Sequence, residues 1–244
     1  MPTYDEAYRV KQHLRVQALA KAVFSRRDAV RAGRVIPDHG DLPIGAGRRV
    51  DATVMFLDIC GSSGRGSDNP LAQSEMLAAL TLLFSEMIRV IEDHGGRVEK
   101  NTGDGLMAYF SAGEPGKTIQ ATALSAALTM VATADRLVAP LLALMGVGPL
   151  PFRICLDHGP LTVAEVGATR GFRGIVAIGM TANIASKMLA LAGEDTILIG
   201  QSVLEGLPSD WAVYVDNPQA TNFIYSASGV PYLCHRYHGR WQTP

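Results

Sequence analysis

Two acidic turns carry residue types that could do phosphoryl chemistry. The first closes an apolar run, Val54-Met55-Phe56-Leu57-Asp58-Ile59-Cys60-Gly61, and the second, Glu99-Lys100-Asn101-Thr102-Gly103-Asp104-Gly105, follows one long helical stretch. Each puts a carboxylate where a strand ends or a glycine-flanked turn begins. A triphosphate carries too much negative charge to be attacked by its own ribose hydroxyl unless cations neutralise it, and two ions about 3.5–4 Å apart can hold attacking and leaving oxygens together. Hard Mg²⁺ or Mn²⁺ prefers carboxylate and carbonyl oxygen, so Asp58, Asp104 and the Ile59 carbonyl form a candidate ligand set. Aspartate is also common in turns on its own account. The ordered pair is what points to metal.

Gly61-Ser62-Ser63-Gly64 follows Asp58 at once and precedes the long helix, so its backbone N–H groups could cradle phosphate oxygens; Gly-Ser runs are also plain loops. Further along, Asn183 and Lys187 lie four apart on a predicted helix whose other face carries Ile184, Met188 and Leu191. Both polar side chains therefore project the same way. His158, in a predicted turn, reads as structural.

The elements that must position these groups are legible from periodicity. Tyr4 to Arg34 reads as a helix, packed on the main domain or serving a dimer contact, and Pro37, Gly40, Pro43, Gly45 and Gly47 mark a linker. Val50 to Leu57 reads as a strand. Leu77, Leu80, Phe84, Met87, Ile88 and Ile91 give a helical stripe ending at Gly95-Gly96. Arg97 to Asn101 and Leu106 to Phe110 form a predicted hairpin, and a second helix covers Thr118 to Leu137. Phe152 to Asp157 and Leu161 to Val166 suggest another hairpin around His158-Gly159-Pro160, followed by a strand near Ile175, a helix from Thr181 and a strand over Thr196 to Ile199. The tail from Trp211 to Trp241 offers further strands. The expected fold is α+β, an antiparallel-rich sheet with helices on one face. The expected domains are a helix and linker over 1–48 and a catalytic domain over 49–244.

From about Arg49 to Leu207 this order of motifs resembles the catalytic domain of class III nucleotidyl cyclases. The strand into Asp58-Ile59-Cys60-Gly61, the Lys100–Asp104 turn, His158-Gly159-Pro160, Ile178-Gly179-Met180-Thr181-Ala182-Asn183-Ile184-Ala185-Ser186-Lys187-Met188 and Ile197-Leu198-Ile199 carry it. The resemblance implies a ferredoxin-like core, two divalent ions on Asp58 and Asp104, and Asn183 orienting the ribose. It implies that Lys187, where the family normally has Arg, stabilises charge on the transferring phosphate; lysine keeps the charge but loses the planar fork. It also implies a homodimer with composite sites, the acidic pair from one protomer and Lys100 with Asn183 from the other.

Lys100 matches the base-reading lysine of adenylate cyclases, yet the partner that accepts from the adenine amino group is Val176 here. A donor lysine without an acceptor suits a carbonyl edge, as in uracil or guanine, better than an amino edge. Lys100 also reads as an exposed strand residue. The family's late triphosphate-binding lysine has no match in the tail; Arg170, Arg173, Arg236 and Arg240 are the substitutes on offer. These departures resemble the stand-alone pyrimidine cyclases of bacterial anti-phage defence, whose cyclic nucleotide activates a separate effector.

Composition bounds the alternatives. With 244 residues, 48% hydrophobic, the chain can bury a substantial core, and a formal charge of -1 without a basic tail argues against nucleic-acid binding. Three cysteines without CxxC spacing support neither a disulfide framework nor a zinc site, and fit a reduced cytoplasmic setting. The apolar stretch from Ile119 to Val147 is broken by Asp135-Arg136 and Pro140, so no membrane span is expected. Gly-x-Ser-x-Gly, Walker A and His-Glu-x-x-His patterns are absent from the sequence. Three readings stand: a pyrimidine cyclase favouring UTP, with CTP second; an adenylate cyclase with a diverged base pocket; and a degenerate nucleotide-binding regulatory module.

Overall fold

The structure, a computed structural model, describes residues 14, 18, 30–32, 42, 43, 45–62, 69–101, 103–169, 172–224 and 229–241. Strand β1 is Val30–Ala32 and β2 is Gly47–Ile59; helix α1 is Pro70–Asp93. Strands β3 (Arg97–Asn101) and β4 (Gly105–Phe110) follow. Helix α2 (Ile119–Thr133) runs through one π-helical stretch, Ala134–Val138, into α3 (Ala139–Leu144). Then come β5 (Phe152–Thr169), β6 (Phe172–Ile178), α4 (Met180–Met188) and β7 (Ile197–Gly200). Short helices α5 (Gln201–Leu204) and α6 (Ser209–Ala212) lead to β8 (Gln219–Ile224) and β9 (Pro231–Tyr237).

The chain divides into two compact units: Met1–Val50 with Leu161–Ile178, and Asp51–Pro160 with Gly179–Pro244. In the first, β1 pairs in parallel with Gly47–Arg49 and β6 pairs antiparallel with the distal part of β5. In the second, the strands are ordered β3-β4-β2-β5-β7-β9-β8, with β5–β7 parallel and β2–β4, β3–β4, β7–β9 and β8–β9 antiparallel.

The alternation of β-strand side chains sorts this second sheet into two faces. Leu57, Leu106, Phe110, Ile154, Leu156, Ile197 and Ile199 bury against Leu83, Met87 and Ile91 of α1 and Leu124, Ala127 and Met130 of α2. Helix α2 is buried nearly all round, and Thr118 caps its start by accepting from the Ala121 N–H at 3.0 Å. The opposite face receives α4, whose Ile184 and Met188 pack on Cys155, Leu198 and Cys234. The long helices thus share one face as expected, while α4 lies on the other. Ile119–Leu144 is long and apolar enough to cross a membrane, yet Ala121–Leu128, Met130 and Val131 are buried in the core.

Four expectations need correction. Within the predicted N-terminal helix, Leu14 and Ala18 are helical and the rest of 4–29 lies outside the described residues, but Val30–Ala32 is a strand. Pairing with Gly47–Arg49 supplies the backbone partners a helix would have supplied internally, and it starts β2 inside the predicted linker. Leu77 is 67% exposed, and Ala79, Leu83 and Val90 complete the buried stripe instead. Leu191, predicted on the apolar side of α4, lies beyond the helix and is 37% exposed. His158-Gly159-Pro160 is no hairpin turn, because β5 runs straight through it and pairs with β6 only from Thr162 onward. Gly159 is needed there for a close approach: a Cβ would lie 2.9 Å from Thr181 Oγ1, whose hydroxyl donates to the Pro160 carbonyl at 3.2 Å.

Candidate active site

Asp58 and Asp104 are brought together by backbone pairing. Asp58 sits opposite Gly105 in the β2–β4 ladder, and the Ile59 N–H donates to the Asp104 carbonyl at 2.9 Å. The ladder ends there because Gly61 and Gly103 adopt φ of 69° and 95°, left-handed conformations that let both strands turn away at one level. The Ser62 hydroxyl then folds back to donate to Asp104 Oδ2 at 2.6 Å. Gly61 and Ser62 of the predicted phosphate cradle therefore lie against the acidic turn, while Ser63 is outside the described residues.

Arg153, on the adjacent strand β5, was not among the residues the sequence singled out. Its Nε and Nη2 donate to Asp58 Oδ2 at 2.9 and 2.7 Å, and Nη1 donates to the Ala192 carbonyl at 3.2 Å. Burial works against the guanidinium's charge, but the hydrogen bond and charge of Asp58 outweigh it and hold its pKa above the ordinary value. Cys60, next along, has its thiol pushed up by burial, with Arg153 opposing, so it is not a thiolate nucleophile. The signal for Arg153 was available: one cation on a strand whose Phe152, Ile154, Cys155 and Leu156 are all buried.

Asn183 and Lys187 lie exposed on α4, with Ile184 and Met188 buried behind them, so both project from the helix as predicted. Lys100 is in β3 opposite Met107, next to a register shift after Val98. Val176 is half-buried in β6 opposite Ala164. Of the tail arginines, Arg236 is exposed opposite Leu198, and Arg240 donates to the Gly239 and Asp195 carbonyls. Arg173 lies in β6, and Arg170 is outside the described residues. Side-chain hydrogen bonds thus join Arg153 to Asp58 and Ser62 to Asp104, the Ile59 N–H to Asp104 carbonyl bond holds the two turns together, and the α4 pair presents its own exposed surface.

The donors of the acidic turns are hard carboxylate and carbonyl oxygens, the set that suits Mg²⁺ or Mn²⁺. Among the described residues no group of three or more His, Cys, Asp or Glu gathers to hold a metal, so the acidic turns offer two carboxylates with backbone carbonyls. That Asp58 already draws a full positive charge onto one of its oxygens fits a site built for cations.

A sheet with α1 and α2 on one face, and paired carboxylates at the ends of β2 and the β3–β4 turn, defines an α+β domain that holds two acidic groups at one level of its sheet. Residues 45–221 match the Adenylate and Guanylate cyclase catalytic domain family, and the chain belongs to that family. It is 27% identical to an adenylate cyclase of Mycobacterium tuberculosis over 80% of this chain and 47% of that protein. It is 28% identical to a uridylate cyclase of Burkholderia cepacia over 66% of this chain and 69% of the other. The chain therefore spans about half the length of the mycobacterial relative. Among solved structures, the guanylyl cyclase Cya2 aligns with a TM-score of 0.69 at 19% identity, covering 80% of this chain and 95% of that one. The adenylyl cyclase CyaB of P. aeruginosa aligns with a TM-score of 0.63 at 20% identity, covering 80% and 97%.

Proposed function

We propose that the protein is a nucleotidyl cyclase that converts a nucleoside triphosphate, UTP foremost and CTP second, to its 3′,5′-cyclic nucleotide and pyrophosphate. The observation that carries this reading is the register-fixed pair Asp58 and Asp104 within a chain of the cyclase family. Asp58, Asp104 and the Ile59 carbonyl would hold two Mg²⁺ or Mn²⁺ ions. When bound, such ions neutralise the triphosphate and activate the ribose 3′-hydroxyl for in-line attack on the α-phosphate.

The chain's own groups do the positioning. Asn183 orients the ribose, Lys187 supplies charge to the transferring phosphate, and Gly61, Ser62 and Ser63 offer N–H groups to its oxygens. Arg153 provides, at the acidic turns themselves, the triphosphate cation that the tail lacks, and its planar fork suits phosphate better than a lysine would. Lys100 donates to the base, while Val176 cannot accept, which favours a carbonyl edge. The similarity to a uridylate cyclase supports the pyrimidine reading.

The active form is a homodimer with two composite sites, as the family resemblance implies, and the exposure of Asn183 and Lys187 on α4 leaves them open to the acidic turns of a second copy. We place the enzyme in the cytoplasm, acting through a separate cyclic-nucleotide-activated effector in phage defence, with no nucleic-acid scaffold. The adenylate cyclase reading is the second, favoured by the mycobacterial relative. Incubating the pure chain with each of the four ribonucleoside triphosphates and Mn²⁺, with products identified by mass spectrometry, separates the two. Cyclic UMP as the main product supports the first, cyclic AMP the second, and no cyclic product from any of them overturns both.

A further inference from the structure

We propose that Arg153 is a built-in counterion that occupies Asp58 until a divalent ion displaces it, so that loading the metal and freeing the guanidinium are one exchange. The proposal rests on the reading of Asp58 as a metal ligand. Two of the three Arg153 nitrogens converge on the same oxygen, Oδ2, at 2.9 and 2.7 Å, and the third is tied to the Ala192 carbonyl at 3.2 Å. All three nitrogens are thus engaged, and the Arg153 and Asp58 side chains are only 29% and 22% exposed. Water screens such a pair far less than a fully exposed one.

A guanidinium does not give up its proton, so its charge cannot be relieved by titration when a second cation arrives. With a divalent ion on Asp58, the two cations would compete for one carboxylate at close range in a partly dry site. The guanidinium is the mobile competitor. Its side chain has several rotatable bonds, whereas the shorter Asp58 side chain stands on backbone fixed by the β2–β4 ladder. The contact with Ala192, just beyond α4, gives it a second holding point from which Nε and Nη2 can swing free. The consequence is weak metal binding by the empty enzyme and metal uptake together with the anionic substrate, whose phosphates take over the released fork.

The test is Mn²⁺ binding by the full chain without nucleotide, read from the electron paramagnetic resonance signal of free Mn²⁺. Arg153→Gln should bind Mn²⁺ about tenfold or more tightly than wild type, because the competing charge is gone. Arg153→Lys should stay near wild type. Equal or weaker binding by Arg153→Gln would mean that Arg153 only orients Asp58, and would overturn the exchange. Should Arg153→Gln not fold, the Arg153 Nε–Hε resonance of the wild-type protein serves instead. It should lose its hydrogen-bonded shift as Mg²⁺ is added, and an unchanged resonance at saturating Mg²⁺ refutes the proposal. Asp58→Ala distinguishes the underlying reading: loss of Mn²⁺ binding supports the metal assignment, and wild-type binding removes that assignment and the exchange together.

Discussion

Burial of Asp157 gives the fold a pH dependence that one substitution should erase. Asp157 is 1% exposed in β5, and its Oδ1 accepts from Tyr232 Oη at 2.6 Å and Ser202 Oγ at 2.8 Å. Burial raises its pKa and outweighs these hydrogen bonds, leaving it at about 6 against an ordinary 3.8. Between those values the folded protein keeps a proton that the unfolded chain has lost. The contribution is therefore fully present below pH 3.8 and declines as pH rises to about 6. At about 1.36 kcal/mol per pKa unit, the whole decline is about 3 kcal/mol. Asp157→Asn keeps an oxygen that can accept both hydroxyls but carries no charge. In urea unfolding from pH 4 to 7, the variant's stability relative to wild type should rise by up to about that amount and level off above about pH 6.5. Taking the difference cancels titrations common to both proteins. Parallel stability profiles would refute the argument.

Other outcomes follow from the acidic turns and the base pocket. Asp58→Ala and Asp104→Ala should each cut metal-dependent pyrophosphate release by more than about a hundredfold while circular dichroism stays native; near-normal turnover in either folded variant contradicts the ligand assignment. UTP should outpace ATP by about ten- to hundredfold, since an unmade buried hydrogen bond to the adenine amino group costs about 1–3 kcal/mol. Competition between the two at equal concentration checks this, and faster turnover of ATP sinks the pyrimidine preference.

Local patterns were readable where local chemistry decides the structure. The β3–β4 hairpin follows from the turn signal Thr102-Gly103-Asp104-Gly105 set before the apolar run Leu106 to Phe110, and the buried side of α4 from Ile184 and Met188. Tertiary pairing decided the rest. Gly159-Pro160 has turn chemistry, yet β5 continues because Thr181 packs against Gly159 and the strand finds β6 as a partner. Val30–Ala32 became a strand through pairing with residues fifteen or more positions away, which periodicity does not register. The acidic pair was legible because both carboxylates sit at turn signals. Arg153 and Asp157 show in the sequence only as charges within and after the apolar run Phe152 to Leu156, and their partners Asp58, Ser202 and Tyr232 are brought beside them by tertiary pairing.

Complementation between two inactive variants bears most directly on the shared catalytic site. Asp58→Ala and Asn183→Ala chains should each be inactive alone, because every site in either homodimer lacks one essential group. Mixed in one dimer, they place both defects in one site and leave the other whole. Co-expression with distinct affinity tags and tandem purification isolates that heterodimer for assay of pyrophosphate release. Recovery of about half the wild-type rate per dimer is the expected result. A purified heterodimer that remains inactive would contradict the assignment of the acidic pair and Asn183 to opposite sides of one composite site.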